Sequence, residues 1–172
     1  MNTTIKMILR FVGLVPAQGL IVNHIRFGGY VHPYIYMIFI MLLPVNMPKI
    51  PLLLVGFGLG IVIDLFMGTL GLHAASTTLI AFCRPAVIRI ISGNQKLENI
   101  HEPTIEHLGF PWFLRYSLCI VILHHFSLFL LETFSFRLIG QSLLRILLST
   151  PVSIFLVLII LYLFKTDKKK ND

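Results

Sequence analysis

The sequence predicts an all-α integral membrane protein with about six transmembrane helices, and three observations carry that expectation. Of 172 residues, 56% are hydrophobic and only 12% charged, about half the share that clothes a water-soluble domain. Mean hydropathy is +0.88. The apolar residues also fall into blocks divided by short loops. Six helices of about 20 residues, the length that crosses a ~30 Å hydrocarbon core, use some 120 positions and leave about 50 for ends and loops. No separate soluble domain fits, so residues 1–172 read as a single transmembrane helical domain.

The first crossing is expected over residues 8–25, with Lys6 before it and Arg10 near its start. Its beginning imitates a secretory signal, with Val15-Pro16-Ala17 as a cleavage site, but Arg10 shortens the apolar stretch too far. It is read as a retained helix. The second crossing, 30–43, is short and opens with Tyr30, His32, Pro33, Tyr34 and Tyr36, an interfacial aromatic cluster. Pro44, Pro48 and Pro51 make a loop, because each removes a donor and fixes the backbone. The third crossing, 52–67, ends in a tight turn at Gly68–Gly71. The fourth, 72–91, carries Arg84-Pro85 as a kink or a point of exit. Residues 92–109 are the longest polar stretch, either a surface for a cytosolic protein or a solvated connector. The fifth crossing, 111–131, opens on Trp112, and the sixth, 140–164, precedes Lys165, Lys168, Lys169 and Lys170.

A net charge of +7 and a pI near 9.7 would suit a nucleic-acid partner. The basic residues, however, are scattered at segment ends, which is the pattern of membrane topology and not of a basic groove. With six crossings and both termini cytoplasmic, the inner side holds eleven of the fourteen Lys and Arg. The outer side keeps Arg26, Arg137 and Arg145. Five crossings, with the fourth segment re-entrant, separate the charges less well. Cys83 and Cys119 each sit alone in an apolar run and read as small buried hydrophobes.

Polar groups inside the crossings are costly and so are candidates for function. Gly56, Gly60, Asp64 and Gly68 recur every four residues along one helical face, a seam for packing within the chain or for a partner helix. Asp64 and His73 flank the turn, where a carboxylate and an imidazole could tie two helix ends, move a proton or hold a metal; further ligands at a sensible spacing are lacking. His125 and Glu132 are seven apart and share a face, whereas the adjacent His124 and His125 point ~100° apart, which does not suit one metal. Gln141, Arg145 and Ser149 form another stripe, and Glu132 is the expected counter-ion of Arg145. Asp64, His73, His125, Glu132 and Arg145 are thus candidates for polar pairing near the outer leaflet. Gln18 is expected to face other helices. No catalytic constellation, metal set or cofactor motif is read from the chain.

The ordered set of motifs resembles the rod shape-determining protein MreD family of bacteria. The most specific passage is the glycine-rich run with Gly56, Gly58 and Gly60, ending in Asp64-Leu65-Phe66 and followed by Gly71-Leu72-His73-Ala74. Further likeness covers Gln18 to His24, Leu43-Pro44, Phe82-Cys83-Arg84-Pro85 and the stretch from His124-His125 to Phe136. The resemblance implies a non-enzymatic inner-membrane subunit of the cell-elongation machinery, associated with the bitopic protein MreC. Through it come the actin-like MreB, the glycosyltransferase RodA and a class B penicillin-binding protein. It also implies a six-helix fold similar to the substrate-binding subunits of energy-coupling-factor vitamin transporters. That likeness supplies the alternative function, a vitamin-binding membrane subunit.

Overall fold

A computed structural model describes residues 3–24, 29–95, 97, 100–133 and 139–163. Its elements are α1 (Thr3–Pro16), α2 (Met37–Met41), α3 (Lys49–Met67), α4 (Leu72–Ser92), α5 (Ile105–Leu108), α6 (Phe110–Thr133) and α7 (Ile139–Leu163). Beyond Pro16, α1 continues through a π turn (Ala17–Ile21) and a 3-10 turn (Val22–His24). Five helices are long and apolar enough to cross a membrane: Thr4–His24, Lys49–Met67, Leu72–Ser92, Phe110–Thr133 and Ile139–Leu163. The chain is therefore a helical, multi-pass membrane protein.

The expected second helix, 30–43, is not among the five. Pro33 and Pro44 bracket it, and a proline both lacks an N–H and pushes its predecessor out of helical geometry. Ten residues between prolines could give only ~15 Å of helix, half the ~30 Å core. Only Met37–Met41 is helical. Nor is its aromatic start interfacial throughout: Tyr30 is 46% exposed, but Tyr34 is 6% exposed and Tyr36 is fully buried. The segment nevertheless runs the length of α1 in the opposite direction: Ile35 meets Gln18, and the Leu42 carbonyl meets Arg10. It thus returns the chain through the middle of the bundle to the end where α1 begins.

Helices α3 and α4 are antiparallel and joined by a turn in which Gly68 and Gly71 both have positive φ, 68° and 80°, a conformation that costs glycine least. Gly56 and Gly60 face α4. A methyl group at Gly56 would lie 2.8 Å from Ala81 Cβ, and one at Gly60 would run into the Ala74 backbone and the Thr77 hydroxyl. This is close backbone approach through small residues. Helix α4 runs on through Pro85 to Ser92 and packs against α6, which packs in turn against α7. The core between them holds Phe113, Tyr116, Ile120, Val121 and Leu128 of α6 with Ile80 and Ile88 of α4.

Thr3 and Leu163 consequently lie at the same end of the bundle. That end also carries the connection between α4 and α6, tied down by Val45 N–H donating to the His101 carbonyl and by Arg10 pairing with Glu102 at 2.7 Å. Lys96, Glu98, Arg26, Arg137 and the C-terminal lysines lie outside the described residues.

Candidate functional site: a polar core around the broken crossing

An interrupted helix in a membrane protein exposes backbone N–H and C=O groups that lipid cannot satisfy, so protein must. Here side chains of four surrounding helices do so. From α1's π turn, Gln18 accepts from Ile35 N–H at 2.7 Å and donates to the Pro33 carbonyl at 3.2 Å. From α7, Ser149 accepts from His32 N–H and Ser153 from Tyr34 N–H, both at 3.0 Å. At the other end of the segment, the fully buried Arg84 donates through Nε to the Tyr116 hydroxyl at 3.0 Å, through Nη1 to the Pro44 carbonyl at 3.2 Å and through Nη2 to the carbonyls of Met41 and Leu43. Tyr116 donates to the Met41 carbonyl at 3.1 Å. Arg84, read from sequence as one of the inner basic residues, is instead a core residue. The C-terminal carbonyls of α2 suit a cation for the same reason that any helix end does.

The segment's own side chains meet a second cluster. The Tyr36 hydroxyl lies 2.9 Å from His73 Nδ1 and 2.5 Å from His124 Nε2. His124 Nδ1 is buried without a partner. A buried N–H left unpaired costs more than a bare lone pair, which assigns the His124 hydrogen to Nε2. His124 then donates to Tyr36, and Tyr36 donates to His73. His125 donates from Nδ1 to the Val121 carbonyl at 2.7 Å, so its Nε2 accepts from Ser153 at 3.3 Å. The order Tyr34 N–H to Ser153 to His125 to Val121 is a chain of donors and acceptors pointing one way.

Asp64 is 5% exposed and does not pair with the His73 imidazole. Its two oxygens accept from the backbone N–H groups of His73 (3.0 Å) and Ala74 (2.9 Å), and the Thr69 hydroxyl donates to it. The carboxylate therefore caps the start of α4, where orphan N–H groups and the helix dipole both favour an anion. Asp64→Ala should destabilise the protein by about 2–3 kcal/mol, since a lost cap and two buried unpaired N–H groups act together. Asp64→Asn should cost less, its amide oxygen keeping one bond. Thermal unfolding in detergent checks this; an alanine variant as stable as the parent would dismiss the cap.

Of the other sequence candidates, Gly56 and Gly60 form the α3–α4 contact and Gly68 the turn. His125 is fully buried and bonded to α7, whereas Glu132 is exposed at the end of α6, so this pair is not brought together. Arg145 Nη1 lies 3.3 Å from Glu132 Oε2, with side chains 28% and 47% exposed. A half-exposed pair of this kind couples by less than about 1 kcal/mol. A double-mutant cycle with Glu132→Gln and Arg145→Gln should give a stability loss smaller than the sum of the singles; full additivity would deny the pairing.

Tyr116 and Ser153 are participants that the sequence reading missed, and Tyr36, read there as interfacial, is a third that it misplaced. Ser149 and Ser153 stand four apart, a spacing that could have flagged a polar face on α7. No sequence signal marks the buried role of Tyr36, because its partners come from α4 and α6. Among the described residues, no three His, Cys, Asp or Glu side chains gather as a metal site. What the arrangement does chemically is to hold a non-helical backbone inside an apolar bundle. Comparison of the chain with protein-family models, curated proteins and solved structures gave no match.

Proposed function

We propose that this chain is a non-enzymatic subunit of the bacterial cell-elongation machinery, residing in the inner membrane with both termini cytoplasmic. In this reading it scaffolds an MreC-like bitopic protein and, with it, MreB, RodA and a class B penicillin-binding protein. The family resemblance described above spans nearly the whole chain and is the starting point. The observation that carries the reading is that polar side chains within the crossings bond largely to one another and to the broken second segment. The outward faces are left apolar, with Leu54, Phe57 and Leu65 of α3 and Leu147 and Phe155 of α7 exposed. A rigid bundle with apolar flanks suits a protein that works by gripping other helices.

The cytoplasmic assignment rests on charge: Lys6, Arg10, Lys49, Arg89 and Arg115 belong to the half of the bundle that holds Thr3 and Leu163. The Gly56–Gly60 face is taken up by α4, so a partner helix would use another surface.

The test is a mild-detergent pull-down of the tagged protein from its native membrane, read by mass spectrometry. Recovery of an MreC-like protein with wall-synthesis enzymes is expected. Recovery of a transporter coupling subunit and its ATPases would replace this reading with the vitamin-binding one.

A further inference from the structure

We infer that the cleft between the end of α6 and the start of α7 binds a small zwitterion of the α-amino-acid type. The cleft has a volume of about 230 Å³, room for roughly seven waters at ~30 Å³ each and so for one small organic molecule. The described residues that line it, Glu132, Thr133, Gln141, Ser142 and Arg145, all have polar side chains, whose carbon stems share the surface with their polar ends. The neighbouring residues of α7 are exposed leucines, Leu143, Leu144, Leu147 and Leu148, so the polarity is local.

The chemistry of the lining selects the ligand class. Ser142, almost fully buried, donates to the Phe129 carbonyl at 3.4 Å and stands 2.6 Å from the Thr133 hydroxyl. With the Ser142 hydrogen directed to Phe129, Thr133 donates to Ser142 and keeps its own lone pairs free. Thr133, the half-exposed Glu132 carboxylate and the Gln141 amide oxygen then offer three acceptors, the complement of an ammonium group with three N–H donors. Arg145 and the Gln141 amide nitrogen offer donors to a carboxylate. Arg145 makes one ion-pair contact with Glu132, through Nη1 at 3.3 Å, and its Nε is without a partner. A lone anion would be repelled by Glu132 and a lone cation by Arg145. A molecule carrying both charges opposes neither.

This inference does not rest on the elongation reading, and either can fail alone. The experiment is equilibrium dialysis of the purified protein in detergent against the twenty protein amino acids and D-alanine, each at about 1 mM, read by mass spectrometry. Acetate and methylammonium, the two half-ligands, are run in parallel. Saturable retention of at least one amino acid is expected, with neither half-ligand retained. Gln141→Ala, a change at an exposed position, should weaken retention at least tenfold while the protein stays folded. Retention of none of the zwitterions, equal retention of a half-ligand, or unchanged retention by Gln141→Ala would each overturn the assignment.

Discussion

Gly60→Leu will disrupt the α3–α4 pair and lower stability by about 3 kcal/mol or more, at the upper end of what overpacking costs. The first added carbon already runs into the Ala74 backbone and the Thr77 hydroxyl, and backbone cannot step aside as a flexible side chain can. The damage spreads through geometry. Asp64 lies one turn along the same face and caps α4 by reaching His73 and Ala74, so pushing the helices apart also stretches those bonds. Gly58→Leu is the control, since a Cβ added there meets nothing within 4 Å. Thermal unfolding in detergent should separate the two variants clearly. Equal stability would mean that α3 and α4 do not approach as closely as described.

The second large effect belongs to Arg84. Arg84→Leu removes the guanidinium donor that serves the Leu43 carbonyl, while the Met41 carbonyl keeps its bond from Tyr116 and the Pro44 carbonyl its bond from Met47 N–H at 3.3 Å. Each buried carbonyl left unpaired costs about 1–3 kcal/mol. Part is returned because a cation no longer has to be desolvated, and the void left by the shorter side chain adds to the loss, for a net of about 2–3 kcal/mol. Arg84→Lys should fall between, because one ammonium cannot span Tyr116 and three carbonyls. Trp112, the chain's one tryptophan, stacks 5.1 Å from Tyr116 and reports the site by fluorescence. Parent-like stability and an unaltered Trp112 spectrum in Arg84→Leu would remove Arg84 from the structural role given to it.

Much of the site was only half legible. Gln18 stands alone in an apolar run, which predicts that it faces protein; its two bonds to a neighbouring broken segment do not follow from that. Asp64 and His73 are brought near each other by a glycine turn that can be read directly. That the carboxylate takes the backbone N–H and leaves the ring to Tyr36 depends on where α4 begins relative to α3, an angle that spacing does not encode. Arg84 beside Pro85 resembles an interfacial cation because position along a hydrophobic run cannot distinguish a side chain pointing out from one pointing in.

Hydropathy and helical period alone determined the class of this protein and the places of its five long helices, because both are sums over local residues. The glycine face of α3 and the turn after it belong to the same local information. The course of residues 30–43 was decided only by tertiary structure. Bracketed by prolines, the segment cannot satisfy its own backbone, and it crosses the bundle because Gln18, Arg84, Tyr116, Ser149 and Ser153, from four different helices, converge to do so. Convergence of this kind is a property of packing, and no stretch of sequence contains it.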